Sequence, residues 1–522
     1  MRPSVRRVAI LLWSWFLLVS PFALAEVKLP ALFGDNMVLQ REAKVPIWGT
    51  AEPGEQVNVT LANQRGTATA DSAGRWKLEI GPVKAGGPFE ITVAGKNTLT
   101  LHNVAVGEVW ICSGQSNMEM AVGNSPRAWG GVFNAEQEIA AANYPMIRHF
   151  TVKKAVAGQP QHDTQGQWVA ASPQTAGEFT AVGFFFAREL HKALGVPIGL
   201  IHTSWGGTPA EAWTSAAALA AEPELAPIGK DWEQKLADYP KALDKYRAQL
   251  EEWNQAAQKA ETDGKPAPPP PQFPSDPYSS SWRAAGLYNG MIAPLIPYGI
   301  RGAIWYQGES NADRAYQYRK LFPVMIQDWR RAWGQGDFPF LFVQLAGFVQ
   351  DWSPKTTWAE LREAQLMTLS LPKTGMAVVA DIGDPHDIHP KNKQEVGRRL
   401  ALAAQAIAYG KEVVYSGPIY ESKTVEGNTI RLRFKHVTGG LTAKGGKPMK
   451  GFEIAGEDRK FVPAQANIEG NTVVVRSDKV PRPVAVRYAW ADYPACSLYN
   501  GTGLPASPFR TDDWPSVTAD KH

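Results

Sequence analysis

Short apolar segments alternate with amphipathic helical segments from about residue 107 to 410, and this alternation constrains the fold more than any other feature. The strand candidates are residues 109–112, 198–203, 303–306, 340–344 and 377–380. The helix candidates, with apolar residues at three- and four-residue spacing, are 182–194, 316–333, 358–369 and 393–409. Strands separated by helices predict an α/β domain whose parallel sheet is covered on both faces.

The flanking segments have a different pattern and suggest further domains. Residues 26–104 consist of short alternating segments between Gly, Pro and Asn turns, which predicts a β-sandwich-like module. The same pattern returns in residues 412–522 and predicts a C-terminal β-rich module. Residues 105–411 then form the α/β domain, interrupted by an insertion at 215–277. The insertion holds a charged helix, about 231–259, and a proline run, 266–271. We expect its apolar stripe to pack on the domain surface or beside the cleft.

The N-terminus is typical of a secretory signal peptide over residues 1–25. Arg2, Arg6 and Arg7 precede an apolar run over 8–19, and Ala23-Leu24-Ala25 matches a cleavage site. This pattern predicts a periplasmic or secreted protein. No later apolar run approaches the ~20 residues that cross a bilayer, so we expect no membrane span after the signal is removed.

The net charge and the two cysteines bear on the possible partners and on disulfide formation. The 54 Lys and Arg against 50 Asp and Glu give a net charge of +4 without a basic cluster, which argues against a nucleic-acid partner. The two cysteines, Cys112 and Cys496, would be able to form a disulfide in an oxidising compartment. Because Cys112 lies in an apolar strand segment, a small buried apolar role is favoured over a disulfide.

A glycine-bearing turn, Ser113-Gly114-Gln115-Ser116-Asn117-Met118, follows the first strand candidate. A turn from a strand into a helix lifts the Ser116 hydroxyl to a helix N-terminus, where free N–H groups favour negative charge on a reacting oxygen. Ser116 is therefore a candidate nucleophile, and its own N–H is a candidate oxyanion donor. The alternative is a serine that only caps a helix.

Two further polar blocks follow strand candidates at carboxyl ends, where open α/β sheets bind ligands. Trp205-Gly206-Gly207-Thr208 can direct a glycine N–H at a substrate, although glycine pairs also serve ordinary turns. Gln307-Gly308-Glu309-Ser310-Asn311 can present the Gln307 amide to an oxyanion. Glu309 either orients neighbouring loops or is a solvated carboxylate.

The last block, residues 381–390, contains two histidines and several aspartates. His389 is the candidate general base. Asp387 is the first choice for the carboxylate that orients it, and Asp384 is the alternative. A catalytic metal site is a competing interpretation, but the chain has no H-E-x-x-H or paired-cysteine motif to complete one, so we expect no metal.

These four blocks, in this order, resemble those of the SGNH hydrolase superfamily, and within it the sialate O-acetylesterase-like carbohydrate esterases. The resemblance implies a flavodoxin-like three-layer α/β/α domain, Ser116 and His389 as catalytic residues, and no cofactor. It also implies an oxyanion hole of Ser116, Gly207 and Gln307, with Gln307 in place of the more usual Asn. In one respect the chain departs from the superfamily, whose last block has Asp three residues before His; here that residue is His386.

The prediction is a secreted serine esterase that removes O-acetyl groups from an acetylated oligosaccharide or polysaccharide. Both sialate and hemicellulose such as xylan or xyloglucan are candidate substrates, and the 19 Trp favour a neutral polysaccharide slightly. The alternatives are a non-catalytic carbohydrate-binding protein and an esterase or lipase that acts on other acyl esters. Oligomeric state is left open.

Overall fold

The computed structural model describes residues 26–124, 131–350, 356–445 and 448–521. The predicted signal peptide, residues 1–25, lies outside them. In these ranges no helix is both long enough and apolar enough to cross a bilayer.

The N-terminal and central strands are β1 (Val38–Gln40), β2 (Val45–Thr50), β3 (Gln56–Leu61), β4 (Gln64–Thr69), β5 (Arg75–Ile80), β6 (Gly86–Ala94), β7 (Thr98–Gly114), β8 (Tyr144–Thr151), β9 (Trp168–Ala171), β10 (Ile198–Ser204), β11 (Gly302–Tyr306), β12 (Phe340–Gln344) and β13 (Thr374–Val378). The C-terminal strands are β14 (Ile419–Glu426), β15 (Thr429–Lys435), β16 (Leu441–Ala443), β17 (Phe452–Ala455), β18 (Val462–Pro463), β19 (Gln465–Glu469), β20 (Thr472–Arg476), β21 (Ala485–Tyr488), β22 (Leu498–Asn500) and β23 (Phe509–Arg510). The α-helices are α1 (Ser116–Glu119), α2 (Ala135–Ala140), α3 (Ala181–Leu194), α4 (Ala216–Ala221), α5 (Ala226–Thr262), α6 (Ala315–Trp333), α7 (Thr357–Met367) and α8 (Lys393–Ile407).

The fold is mixed α/β with a large central sheet. Its strand order is β13-β12-β11-β7-β10-β8-β9, and every neighbouring pair is parallel except β8 with β9. The five predicted strands are β7, β10, β11, β12 and β13, and the four predicted helices are α3, α6, α7 and α8. Strands β8 and β9 were not among the sequence predictions.

Helices cover both faces of this sheet. The ring of Phe186 on α3 meets Trp110 of β7 edge-on, with centroids 5.1 Å apart. The ring of Phe322 on α6 stacks on Trp305 of β11 at 6.3 Å. Because Trp110 pairs with Gly302, and side chains alternate along a strand, Trp110 and Trp305 point to opposite faces. Helix α8 packs beside α3 on the first face.

The N-terminal segment is continuous with the central sheet. Strand β7 runs from Thr98 to Gly114, pairs with β6 in its first part and with β10 and β11 in its second, and so spans the predicted boundary at 104/105. A single cluster of buried apolar residues extends from Val27 through the α/β domain. The seventeen-residue strand joins the two regions through both backbone pairing and a shared core.

The C-terminal segment has a separate core. Its buried apolar residues, from Ile430 to Phe509, form a second cluster between short antiparallel sheets. This segment contacts the α/β domain through ion pairs and polar contacts, such as Arg510 with Glu363 at 2.7 Å and Tyr499 with Asp381 at 3.2 Å.

The insertion forms a hairpin of α5 and the proline-rich segment that follows it. The predicted apolar stripe of α5 packs on the domain only at its start, where Ile228 is buried and Trp232 packs against the main core. Instead, Trp253 donates a hydrogen bond to the Pro268 carbonyl at 2.7 Å, and the Tyr246 and Phe273 rings meet at 5.0 Å. A proline-rich chain is stiff and extended, so it can follow the helix and cover the stripe.

Both cysteines are free thiols. Cys112 is fully buried in β7, and Cys496 is partly buried in the C-terminal segment.

Candidate active site

The turn after β7 depends on a glycine. Gly114 has a φ of +134°, and a Cβ at this position would collide with the carbonyl oxygen of Tyr306 on β11. The backbone of the turn can therefore lie directly against β11, where the Gln115 N–H donates to that same carbonyl at 3.0 Å. Ser116 comes next and is 7% exposed.

Ser116 begins a helix of a single turn, α1. So short a helix carries little of the dipole expected from the sequence, and its contribution is the free N–H groups of its first residues. No described residue accepts a hydrogen bond from the Ser116 N–H or bonds its hydroxyl. The serine thus presents an unengaged hydroxyl beside an unengaged donor.

The Gly206-Gly207 pair follows β10, the neighbour of β7. The Gly206 N–H donates to the Glu119 carboxylate at 2.6 Å and is not available to a substrate. Gly207 is exposed, with a φ of +73°, and no acceptor for its N–H lies among the described residues. Of the two glycines, Gly207 is the one that retains a free donor.

Gln307 does not present a free donor, contrary to the sequence prediction. Its side chain is fully buried, and its amide nitrogen donates to Asn311 Oδ1 at 2.6 Å and to the Thr208 carbonyl at 3.3 Å. Its amide oxygen accepts from the Tyr318 hydroxyl at 2.9 Å. Both amide hydrogens are therefore used inside the protein, where they support the turn that carries Gly207.

The His389 loop meets the Ser116 turn. Asn117 Nδ2, one residue after the serine, donates to the carbonyl of Ile388, one residue before the histidine, at 3.0 Å. Burial, and then the charge of Lys393, lower the pKa of His389 to about 4, and Asp387 opposes them. At neutral pH the imidazole is therefore uncharged and able to accept a proton.

The two candidate acids lie differently. Asp387 accepts a hydrogen bond from the His389 backbone N–H at 2.8 Å, and its oxygen is 3.7 Å from His389 Nδ1, an ion-pair distance beyond hydrogen-bond range. Asp384 is exposed and accepts from the His386 N–H at 2.8 Å. Of the two acids, Asp387 lies beside the His389 ring, whereas the Asp384 carboxylate bonds the backbone of its own turn.

The acidic groups of this loop do not converge on a common point. Asp381 pairs with Arg399 at 2.6 Å and accepts from Tyr499. Within the described parts of the chain, no group of three or more His, Cys, Asp or Glu side chains is arranged to hold a metal ion.

Comparison with known proteins identifies the family. Residues 106–261 and 278–406 match the family model "Carbohydrate esterase, sialic acid-specific acetylesterase". The chain belongs to this family. Sialate O-acetylesterases of rat and human are each 32% identical to it, over 92% and 91% of the chain and 93% and 90% of their own lengths. The crystal structure of XAC1771, a carbohydrate acetylesterase from Xanthomonas citri, is 40% identical with a TM-score of 0.80, and covers 94% of this chain and 100% of its own.

The chain is thus a carbohydrate O-acetylesterase, as its four sequence blocks predict. The four blocks fall within the two matched ranges, on the turns after β7, β10, β11 and β13. The match omits residues 262–277, which include the proline-rich half of the insertion hairpin.

The floor of the candidate active site consists of the linked polar side chains of Asn117, Glu309 and Lys393, and sequence reasoning assigned no role to Asn117 or Lys393. Glu309 is held by Asn117, whose Nδ2 donates to it at 2.6 Å, so the alternative of a solvated carboxylate is wrong. Lys393 is fully buried at the start of α8. Asn117 and Glu309 lie inside the motif blocks, and this position in the sequence is a signal of a role at the site. Lys393 follows the last block and reads as an ordinary helix residue.

Proposed function

We propose that this carbohydrate esterase removes acetyl groups with Ser116 as nucleophile, His389 as general base and Asp387 as the group that orients the histidine. The observation that carries the proposal is the hydrogen bond from Asn117 to the Ile388 carbonyl. It joins the immediate neighbours of Ser116 and His389, which are 273 positions apart in the sequence (389 − 116). Two loops fixed together at these points hold a hydroxyl and an imidazole at one cleft.

The reaction proceeds in two steps. His389 takes the proton of the Ser116 hydroxyl as the oxygen attacks the acetyl carbonyl carbon, and a tetrahedral oxyanion forms. The intermediate collapses, the sugar oxygen leaves, and His389 returns the proton to it. Water, deprotonated by His389, then attacks the acetyl-serine carbonyl; the bond from that carbon to Ser116 Oγ breaks, His389 returns the proton to Oγ, and acetate leaves.

Two backbone donors stabilise the oxyanion in this proposal: the N–H groups of Ser116 and Gly207. Both are free of acceptors among the described residues, and each follows one of two adjacent strands, β7 and β10. Gln307 does not donate to the oxyanion in this proposal. It positions the Gly207 turn, because its amide donates to the carbonyl of Thr208, the residue next to Gly207. Loss of one oxyanion donor typically lowers turnover by ~10²–10³-fold.

The SGNH, flavodoxin-like arrangement belongs to the same proposal. Taking β7, β10, β11, β12 and β13 as strands one to five, the order across the sheet is two-one-three-four-five, the doubly wound order. In such sheets ligands bind at the carboxyl ends where the order reverses, and Ser116 follows the strand at that point. The antiparallel pairs among β1–β6 and the C-terminal sheets support accessory β-sandwich-like segments.

For the substrate, we place neutral acetylated hemicellulose ahead of O-acetyl sialate. A carboxylated sugar favours a free cation at the cleft. Lys154, near the Gly206 turn, is paired with Glu119 at 2.6 Å and lies over the Trp205 ring at 5.2 Å. An aromatic ring beside a neutralised charge suits the C–H face of a neutral sugar better. Because two relatives are named sialate O-acetylesterases, O-acetyl sialate is included among the substrates to be tested.

Substitution of Ser116 by alanine tests the mechanism. Ser116→Ala should abolish hydrolysis of p-nitrophenyl acetate and retain the thermal unfolding midpoint. Ser279→Ala, the same change at an exposed serine just after the insertion, is the matched control and should be fully active. Full activity of Ser116→Ala would overturn the proposal.

Acetate release from acetylated xyloglucan oligosaccharides, acetylated xylan and O-acetyl sialic acid, measured side by side, tests the substrate. The hemicellulose fragments should give the highest kcat/KM. A higher value on sialate would reverse the ranking, and a higher value on long-chain acyl esters would contradict the carbohydrate assignment.

Secretion to the periplasm or beyond is proposed from residues 1–25 alone. N-terminal sequencing of the exported protein should begin at Glu26. An uncleaved N-terminus on exported protein would contradict this assignment.

A further inference from the structure

A fully buried ammonium lies beneath the proposed catalytic residues. Lys393 Nζ donates to Asn117 Oδ1 at 2.6 Å and to the Pro390 carbonyl at 2.7 Å. Its charge also lies over the Tyr306 ring at 5.4 Å. Burying a lysine costs free energy unless its ammonium is paired and hydrogen-bonded. We therefore ask what function these contacts serve.

The contacts of Lys393 fix the orientation of the Asn117 amide. As an ammonium, Lys393 can only donate, so the amide oxygen faces it. The amide nitrogen then faces two acceptors, Glu309 Oε1 at 2.6 Å and the Ile388 carbonyl at 3.0 Å. The reversed amide would set donor against donor at Lys393 and acceptor against acceptor at the other two.

Together, Lys393 and Asn117 hold the peptide on both sides of His389. Asn117 bonds the carbonyl of the residue before it, and Lys393 bonds the carbonyl of the residue after it. Because Asn117 directly follows Ser116, the same network also fixes the nucleophile turn. We propose that Lys393 is a positioning residue that fastens the Ser116 turn to the His389 loop and sets the electrostatic environment of the imidazole. The inference rests on the proposed function of Ser116 and His389.

The charges around Lys393 support this role. Burial lowers the pKa of Lys393 to about 7, while Glu309 and Asp387 oppose that shift. Glu309 is partly buried: one carboxylate oxygen accepts from Asn117, and the other, Oε2, is buried without a hydrogen-bond partner in the described chain. Near pH 4, where His389 titrates, Lys393 is protonated, and its charge is one cause of the lowered pKa of the histidine.

Replacing Lys393 by methionine tests the inference with two readouts. Lys393→Met removes both hydrogen bonds and the charge, so kcat should fall on the order of 10²-fold with KM unchanged, as for a small misplacement of reacting groups. The pKa of His389, measured by NMR titration of labelled imidazole, should rise toward the ordinary value. A residue that only fills space would not move this titration.

Three further variants complete the design. Lys391→Met, the same change at an exposed lysine two residues earlier, should leave both readouts unchanged. Lys393→Arg keeps the charge and donors and should retain more kcat than Lys393→Met, with the wild-type His389 titration. If Lys393→Met fails to fold, the double variant Glu309→Gln/Lys393→Met removes the orphaned charge and is expected to show the same loss.

Wild-type kcat and an unshifted His389 titration in a folded Lys393 variant would overturn the inference. An active Ser116→Ala enzyme would instead overturn the proposed mechanism, and the NMR titration would still report on Lys393.

Discussion

The floor of the active site and the insertion hairpin are built in opposite ways. On the floor, Asn117 and Lys393 are fully buried, Glu309 is partly buried, and hydrogen bonds of 2.6 Å join Asn117 to each of the other two. In the hairpin, a helix from Ala226 to Thr262 has a single buried residue and is covered by its own proline-rich return. A buried polar network loses function when one member is removed, whereas an exposed hairpin tolerates change. Four predictions test this contrast.

The largest effect is expected at His389. His389→Ala removes the proposed base, so kcat/KM on p-nitrophenyl acetate should fall by at least ~10³-fold, as for other serine hydrolases that lose the histidine. His386→Ala is the matched control on the same loop, because His386 is exposed. Near-normal activity in His389→Ala, or an equal loss in His386→Ala, would place the base elsewhere.

A smaller effect is expected at Gly114. A Cβ there would collide with the Tyr306 carbonyl, and the φ of +134° is strained for alanine. Gly114→Ala should displace Ser116 and lower kcat by ~10–10²-fold. It should also destabilise the fold by about 1–3 kcal/mol.

The same change in the hairpin, Gly229→Ala, meets open space inside α5. It should stabilise by about 0.5–1 kcal/mol, because alanine is the better helix former. Urea unfolding measures both, and equal effects would remove the contrast between the two regions.

The pH dependence of the floor comes next. Burial and Lys393 lower the pKa of His389 to about 4 against the opposing effect of Asp387. Because the neutral imidazole is the proposed base, kcat/KM should be retained above that pH and lost as pH falls through it, about tenfold by pH 3. A profile from pH 3 to 8 on p-nitrophenyl acetate checks this. An acid midpoint near 6.5 would show that the histidine is not desolvated as the structure has it.

The smallest effect is expected in the hairpin. Trp253→Ala removes one exposed hydrogen bond to the Pro268 carbonyl. The change in unfolding free energy should be within ~1 kcal/mol, and kcat/KM on p-nitrophenyl acetate should stay within about twofold. A large loss of activity would mean that the hairpin reaches the cleft.

The sequence predicted the parts of the site that have a regular relation to the sheet. Apolar strands followed by polar turns place Ser116, Gly207 and His389 at the carboxyl ends of strands. Because these strands lie in one parallel sheet, their carboxyl ends are at the same edge. The mixed α/β class with its large sheet follows from the same alternation, and the carbohydrate esterase family follows from the four blocks.

The errors arose where side chains meet through tertiary contacts. Gln307 is in a suitable block, but Asn311, four residues later, and Thr208, on another turn, take up its amide hydrogens. Lys393 reads as a polar residue at a helix start, and its burial depends on Asn117 and Pro390. The hairpin stripe is expected on the domain surface or beside the cleft, because no periodicity reveals that a proline-rich segment returns along its own helix.

The seventeen residues of β7 give the N-terminal region and the proposed catalytic serine a common backbone. The same strand that pairs with β6 at Thr98 ends at Gly114, two residues before the proposed nucleophile. A shortened chain that begins at residue 105 would therefore lose seven of the seventeen residues of this strand, together with β1 and β6, which pair with its N-terminal part. The N-terminal region and the proposed nucleophile therefore share one strand, whereas the C-terminal segment meets the α/β domain through side-chain contacts such as that of Gln344 with Ser507 at 2.9 Å.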